Sequence, residues 1–261
     1  MAAWRQRASN PLRFGDLEPV DMQLAVQDFS TLSIKKDDKK IKQPTFSAPS
    51  QMVTFVVGEE KETFLVHKEH AFKYSPVLEK AFNSKFKEGQ TQSYEMEDTT
   101  PDAFRVFVQW LYSQKLTHLH HEEYDYQYCI LEKSEGHYDI CTKQTESYLK
   151  VWVLAEKLLI PRLQNEVMDI LGFVNEECMT PFETSVRYIH KNTTDNSPLR
   201  RFVVNLSAWT APSSEYKQYP HLYPHTFLLD LATVFSEAVP PRARANRKSR
   251  TEISDYHVEE H

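Results

Sequence analysis

Glycine is scarce in this 261-residue chain: Gly15, Gly58, Gly89, Gly136 and Gly172 are all there is, and no two stand close together. Glycine lets a backbone approach a phosphate or turn sharply beneath a nucleophile. Its scarcity removes the dinucleotide-binding G-x-G-x-x-G, the P-loop and the G-x-S-x-G nucleophile elbow. Cysteine is scarcer still. Cys129, Cys141 and Cys178 have no metal-ligand spacing, and an odd, scattered set fits a reducing compartment. A regulatory disulfide between Cys129 and Cys141 stays open as an alternative. There is no basic excess either: the formal net charge is −6, which argues against non-specific nucleic-acid binding through displaced counterions. No apolar run reaches the roughly 20 residues of a membrane span. The opening MAAWRQRASNPLRFGDLEPV lacks the apolar core of a secretory signal. The expectation is a cytoplasmic or nuclear protein with no cofactor, no membrane contact and no direct nucleic-acid contact.

What is present is a chain able to build a core, 40% hydrophobic. Residues 1–49 read as a disordered arm, with the mixed charge run KKDDKKIK (Lys35–Lys42) and then Pro44 and Pro49. MVTFVV (Met52–Val57) is a near-continuous β-rich run and predicts a buried strand; TFLVH (Thr63–His67) predicts a second, with GEEKE between them as the hairpin loop. Helices follow. Ser75-Pro76, Thr100-Pro101, Thr180-Pro181 and Ser197-Pro198 each set a capping hydroxyl before a proline at the first helical position. After Pro101, Phe104, Phe107, Val108, Leu111 and Tyr112 trace a single helical face. SYEM (Ser93–Met96) predicts a short third strand. Residues 117–147 form a polar, tyrosine-rich insertion, and helical order is expected to return at Tyr148. Further helices are expected after Pro161, Pro181 and Pro198 and across Pro224–Phe235, with a disordered tail over 239–261. No repeat recurs at the roughly 20–50-residue spacing of solenoids and propellers. The fold class is α+β: a small sheet covered by helices, extended by an all-α annex.

Candidate chemistry is thin. His118, His120 and His121, with Glu122 and Glu123, could chelate a metal, but nothing in their polar loop would fix the ligands, so no metal site is expected. His67 closes a strand and His70 stands near a helix start, with no nucleophile or acid paired to either by spacing. A half-buried structural His67, its ring bonded to nearby backbone, is the expectation. Glu59/Glu60 and Glu176/Glu177 read as solvated pairs. RARANRKSR (Arg242–Arg250) reads as a solvated tail, with a nuclear address or a weak phosphate contact as the alternatives. No catalytic residue is expected, and the protein is not expected to be an enzyme.

Residues 50–172 resemble the BTB/POZ domain. The likeness rests on Val57-Gly58, Phe64/Val66-His67-Lys68, Ser75/Leu78, Phe86-Lys87-Glu88, Asp98/Pro101/Phe104 and Trp110-Leu111-Tyr112, followed by a helix pair over Tyr148–Leu171. PLRRFVVNLSAWT (Pro198–Thr210), within a helical extension over 173–238, is similar to a helix that follows this domain in many fungal members. The resemblance implies a small sheet under a helical cluster, and binding of protein partners through homo- or hetero-oligomers. It implies structural roles for Gly58, His67, Lys68, Ser75, Pro101, Phe104, Trp110 and Tyr112. A subset of the family joins cullin-type ubiquitin-ligase scaffolds through a hydrophobic-x-Glu motif after the domain's second helix, which Phe86 and Glu88 match. There Phe86 would be a buried anchor beside an exposed carboxylate, or would merely complete its helix's apolar stripe. The alternative function is a transcriptional or chromatin cofactor acting by oligomerisation. One departure stands out: Met52 occupies the place of the acid that would pair with Lys68, which weakens the usual homodimer.

Overall fold

A computed structural model of the chain describes residues 44–116, 135–178 and 182–238. Three strands make the sheet: β1 (Met52–Val57), β2 (Glu62–His67) and β3 (Ser93–Met96), in the order β2-β1-β3. β1 and β2 are antiparallel, with Val53 opposite Val66 and Phe55 opposite Phe64. Their loop turns on Gly58, at φ 74°, and Lys61, at φ 55°. β1 and β3 are parallel, with Thr54 opposite Ser93 and Val57 opposite Met96. The apolar run of β1 suggested burial on both faces. The structure buries only Val53, Phe55 and Val57, because helices cover one side of the sheet; Met52, Thr54 and Val56 stay half-buried.

The helices are α1 (Lys68–Tyr74), α2 (Pro76–Phe82), α3 (Lys87–Thr91), α4 (Pro101–Ser113), α5 (Glu135–Lys157), α6 (Pro161–Cys178), α7 (Glu183–Asn192), α8 (Pro198–Thr210), α9 (Ser213–Gln218) and α10 (His225–Ala238), with a 3-10 turn at Pro220–Leu222. The predicted stripe of α4 is buried at Phe104, Phe107 and Leu111, joined by Trp110; Val108 and Tyr112 remain at least partly exposed. Proline holds the first helical turn at Pro76, Pro101 and Pro198, but only Ser75 supplies the expected side-chain cap, to Leu78 N–H. Thr100 and Ser197 make no side-chain cap bond. α7 starts at Glu183, with Phe182 at its N-cap and no side-chain bond. Thr180 and Pro181 lie outside the described residues.

Helical order also returns earlier than Tyr148. α5 begins at Glu135, so the latter part of the expected insertion is helix. Its buried face runs Cys141, Thr145, Tyr148, Trp152, Ala155, a helical spacing that only Cys and Thr disguise. α5 and α6 share one hydrophobic core with the sheet and α4, through Tyr148, Trp152, Leu163, Val167 and Leu171, and the core continues into α7, α8 and α10 at Val186, Ile189, Val203 and Phe227. Folded chain also extends upstream of Gln51. The Glu69 carboxylate accepts the Ser47 hydroxyl and the Ala48 N–H (2.9 Å), and the Phe46 ring lies 4.7 Å from that of His70.

Candidate functional site

The surface that stands out is the short connection from α2 to β3. α2 buries Leu78 and Phe82 and ends there; Phe86 follows on the N-cap of α3 with 78% of its surface exposed. It therefore neither completes the α2 stripe nor acts as a buried anchor within the chain. Its position is fixed by backbone. Phe86 N–H donates to Ser84 Oγ at 3.1 Å, Phe86 C=O accepts from Gln90 N–H at 3.1 Å, and Ser84 Oγ donates to Ala81 C=O at 2.7 Å. A phenyl ring held out on an ordered turn lowers the entropy of docking, since the backbone is already in place.

Glu88 is half-buried one turn along and lines a shallow groove with Lys87, Ser93, Tyr94 and Glu95. Lys87 Nζ bonds Glu95 at 2.8 Å, which raises the lysine's pKa and lowers the glutamate's. Both are exposed, so the pair contributes little stability. Its effect is positional: the ammonium is drawn toward β3. Among the described residues Glu88 has no hydrogen-bond or ion-pair partner. The Tyr94 hydroxyl is pushed above the usual phenol range by burial and then by Glu88, so it faces the groove as a neutral donor and acceptor.

The other positions singled out in the sequence hold the frame of this loop. A Cβ on Gly58 would meet Pro101 Cδ at 3.2 Å, and the positive φ there adds strain for any other residue. Phe104 is buried 5.0 Å from the Phe55 ring and 4.9 Å from that of Phe64. Trp110 Nε1 donates to Glu166 Oε2 at 2.8 Å, and the same carboxylate accepts Leu116 N–H at 2.6 Å, joining α4 to α6. Ser75 Oγ donates to Leu158 C=O at 2.8 Å while it caps α2.

His67 is half-buried, but its ring pairs with a side chain and not with backbone: Nδ1 is 2.7 Å from the Tyr112 hydroxyl, which also accepts the His67 N–H at 3.0 Å. His70 stacks on Tyr112 at 4.4 Å, and its pKa is lowered by burial first and by neighbouring His67 second. Lys68, deprived of an acid at position 52, donates to Gln92 Oε1 at 3.1 Å and lies over the Phe72 ring at 5.2 Å. Gln92 was not anticipated. It sits at φ 52° at the end of α3, and its amide also donates to Phe82 and Gly89 carbonyls. One side chain thus links Lys68 to the Phe86 turn; a polar residue closing a glycine-containing polar segment was its only sequence signal.

Among the described residues no group of three or more His, Cys, Asp or Glu is placed to hold a metal, and no helix is long and apolar enough to cross a membrane. His118, His120, His121 and Cys129 lie outside the described residues, as does the basic run Arg242–Arg250.

With a three-stranded sheet, a helical cover and this turn in view, comparison with protein families adds one finding: residues 50–132 match the BTB/POZ domain model. The α+β BTB-like fold with a helical C-terminal region is that of the sequence expectation. A BTB/POZ domain is a protein-interaction module, and protein partners are what it implies for this chain. No curated protein matches the chain. The match stops short of α5, yet α5 and α6 are packed into the same core.

Proposed function

We propose that this BTB/POZ protein is a non-enzymatic substrate adaptor for a cullin-type ubiquitin-ligase scaffold, with Phe86 and Glu88 as the scaffold contact. The observation that carries the reading is the 78% exposed Phe86 on a hydrogen-bonded turn beside Glu88, which has no partner among the described residues. An aromatic ring that fills a partner's pocket, with a carboxylate at its rim, is the composition of a binding hot spot. The adaptor domain in this reading runs over 50–172, since α5 and α6 complete its core. The helices after it then face the target, where Trp209 (74% exposed) and Leu229 (59%) offer apolar area. The Lys68 ammonium is already engaged by Gln92, which supports the adaptor reading over a cofactor that assembles through a Lys68–acid pair.

The test is recovery of a cullin by the full chain and by its Phe86→Ala/Glu88→Ala variant. The variant should lose the cullin while keeping its melting temperature. Equal recovery by both proteins, or none by either, would refute the contact.

A further inference from the structure

α5 and α6 are joined by three residues, Leu158–Ile160, and return alongside one another as an antiparallel pair. Residues equally far from that connection therefore lie at one level. Cys141 is sixteen residues before the end of α5, and Cys178 is seventeen after the start of α6. The same offset relates Tyr148 to Leu171 and Trp152 to Val167, all of them buried in the main core. The two cysteines close that series at its outer end. Both are reduced thiols, 0% and 1% exposed, and with Val174 they form a small buried cluster separate from the main core, with Phe173 packed against it. The sequence had offered Cys141 only Cys129 as a partner. The topology brings in Cys178, 37 positions away.

We propose that Cys141 and Cys178 are a redox-active dithiol, oxidised by a low-molecular-weight disulfide to an intramolecular bond that ties the outer ends of α5 and α6. A disulfide spans roughly 4.4–6.8 Å between Cα atoms, and two short side chains packed in one buried cluster on adjacent antiparallel helices are the arrangement it asks for. Local opening of the outer end of the α5–α6 pair exposes Cys178 to the oxidant. Its thiolate attacks the oxidant's S–S bond, forms a mixed disulfide and releases one small thiolate. The Cys141 thiolate then attacks the Cys178 sulfur and releases the second. The protein dithiol gives up two protons and two electrons; the oxidant is reduced to two thiols. The bond pins the segment that leads out of residues 117–134 to the segment that leads into α7.

The full chain is incubated folded with oxidised glutathione, its remaining thiols are blocked with N-ethylmaleimide, and peptides are mapped by mass spectrometry. A Cys141–Cys178 linked peptide is expected, reversed by dithiothreitol, with a higher melting temperature for the oxidised protein. The Cys129→Ser variant is expected to form the same bond. A glutathione adduct left on Cys141 or Cys178, a bond to Cys129 instead, or a linked peptide that appears only after denaturation would overturn the proposal.

Discussion

Replacing Gly89 with alanine perturbs the Phe86 turn without touching the groups that would meet a partner. A Cβ there would lie 1.9 Å from the Ser84 carbonyl oxygen and 2.8 Å from its carbon. Ordinary contact is about 3.5 Å, so the Ser84 peptide has to move by more than about 1 Å. That peptide is held: Ser84 N–H and Oγ both bond the Ala81 carbonyl, at 3.2 and 2.7 Å, and Oγ accepts from Phe86 N–H at 3.1 Å. Forced overpacking of this kind costs about 1–3 kcal/mol. Alanine's helix preference over glycine returns up to about 1 kcal/mol, so against the upper end of that cost, where a clash with held backbone belongs, the net loss is about 2 kcal/mol. Gly172 in α6 is the internal control, because nothing lies within 4 Å of its would-be Cβ. Gly172→Ala should stabilise by about 0.5–1 kcal/mol. Urea unfolding with m held constant reads both as midpoint shifts of opposite sign. An unchanged or raised midpoint for Gly89→Ala, or a lowered one for Gly172→Ala, would refute the reasoning. If the proposed cullin contact holds, Gly89→Ala should also lower cullin recovery, by re-aiming Phe86.

The C-terminal helices yield two further tests. Arg200 is 4% exposed and bonds Asp230 Oδ2 through Nε and Asp195 Oδ1 through Nη1, both at 2.7 Å. Asp230→Ala leaves that guanidinium with only the largely exposed Asp195. It should cost about 2–3 kcal/mol, below the fully buried case because Asp230 is partly solvated, while Arg200→Met/Asp230→Leu should regain most of it in urea unfolding. His190 is buried beside Arg200; burial first and that charge second hold its pKa at about 4, against about 6.5 in an unfolded chain. Between those values the unfolded state binds the extra proton. The stability from neutral His190 is complete above about pH 6.5 and declines as pH falls toward 4, by about 3 kcal/mol. Urea midpoints from pH 7 to 4 should fall more steeply in wild type than in His190→Leu; parallel profiles would contradict this.

The strands and α4 were legible because their patterns are long enough to show a period, as in Met52–Val57 and Pro101–Ser113. Short helices without a start signal were not. α1 opens on His67 with no side-chain cap, and α3 is five residues with a glycine inside and nothing buried. The first turns of α5 were hidden because Cys141 and Thr145 do not look apolar, although both are buried. At the candidate site, Phe86 and Glu88 could be singled out only through resemblance to the hydrophobic-x-Glu motif. That Phe86 would be exposed and Glu88 half-buried could not, because both depend on α2 stopping at Phe82 and on bonds through Ser84. Gln92 and Glu166 act across elements, and long-range hydrogen bonds leave no local trace.

Ser75 gives the binding turn and the C-terminal region a common mechanical origin. One hydroxyl accepts from the first turn of α2 and donates to the carbonyl that ends α5. α2 carries Phe86 at its far end, and α5 leads through α6 to the remaining helices. On the adaptor reading, a shift of the α5–α6 pair would be felt at the start of α2, the helix that leads to the Phe86 turn. That oxygen works beside the core that α4, α5 and α6 share and beside the Trp110–Glu166 bond, so the Phe86 turn and the later helices stand on one common frame.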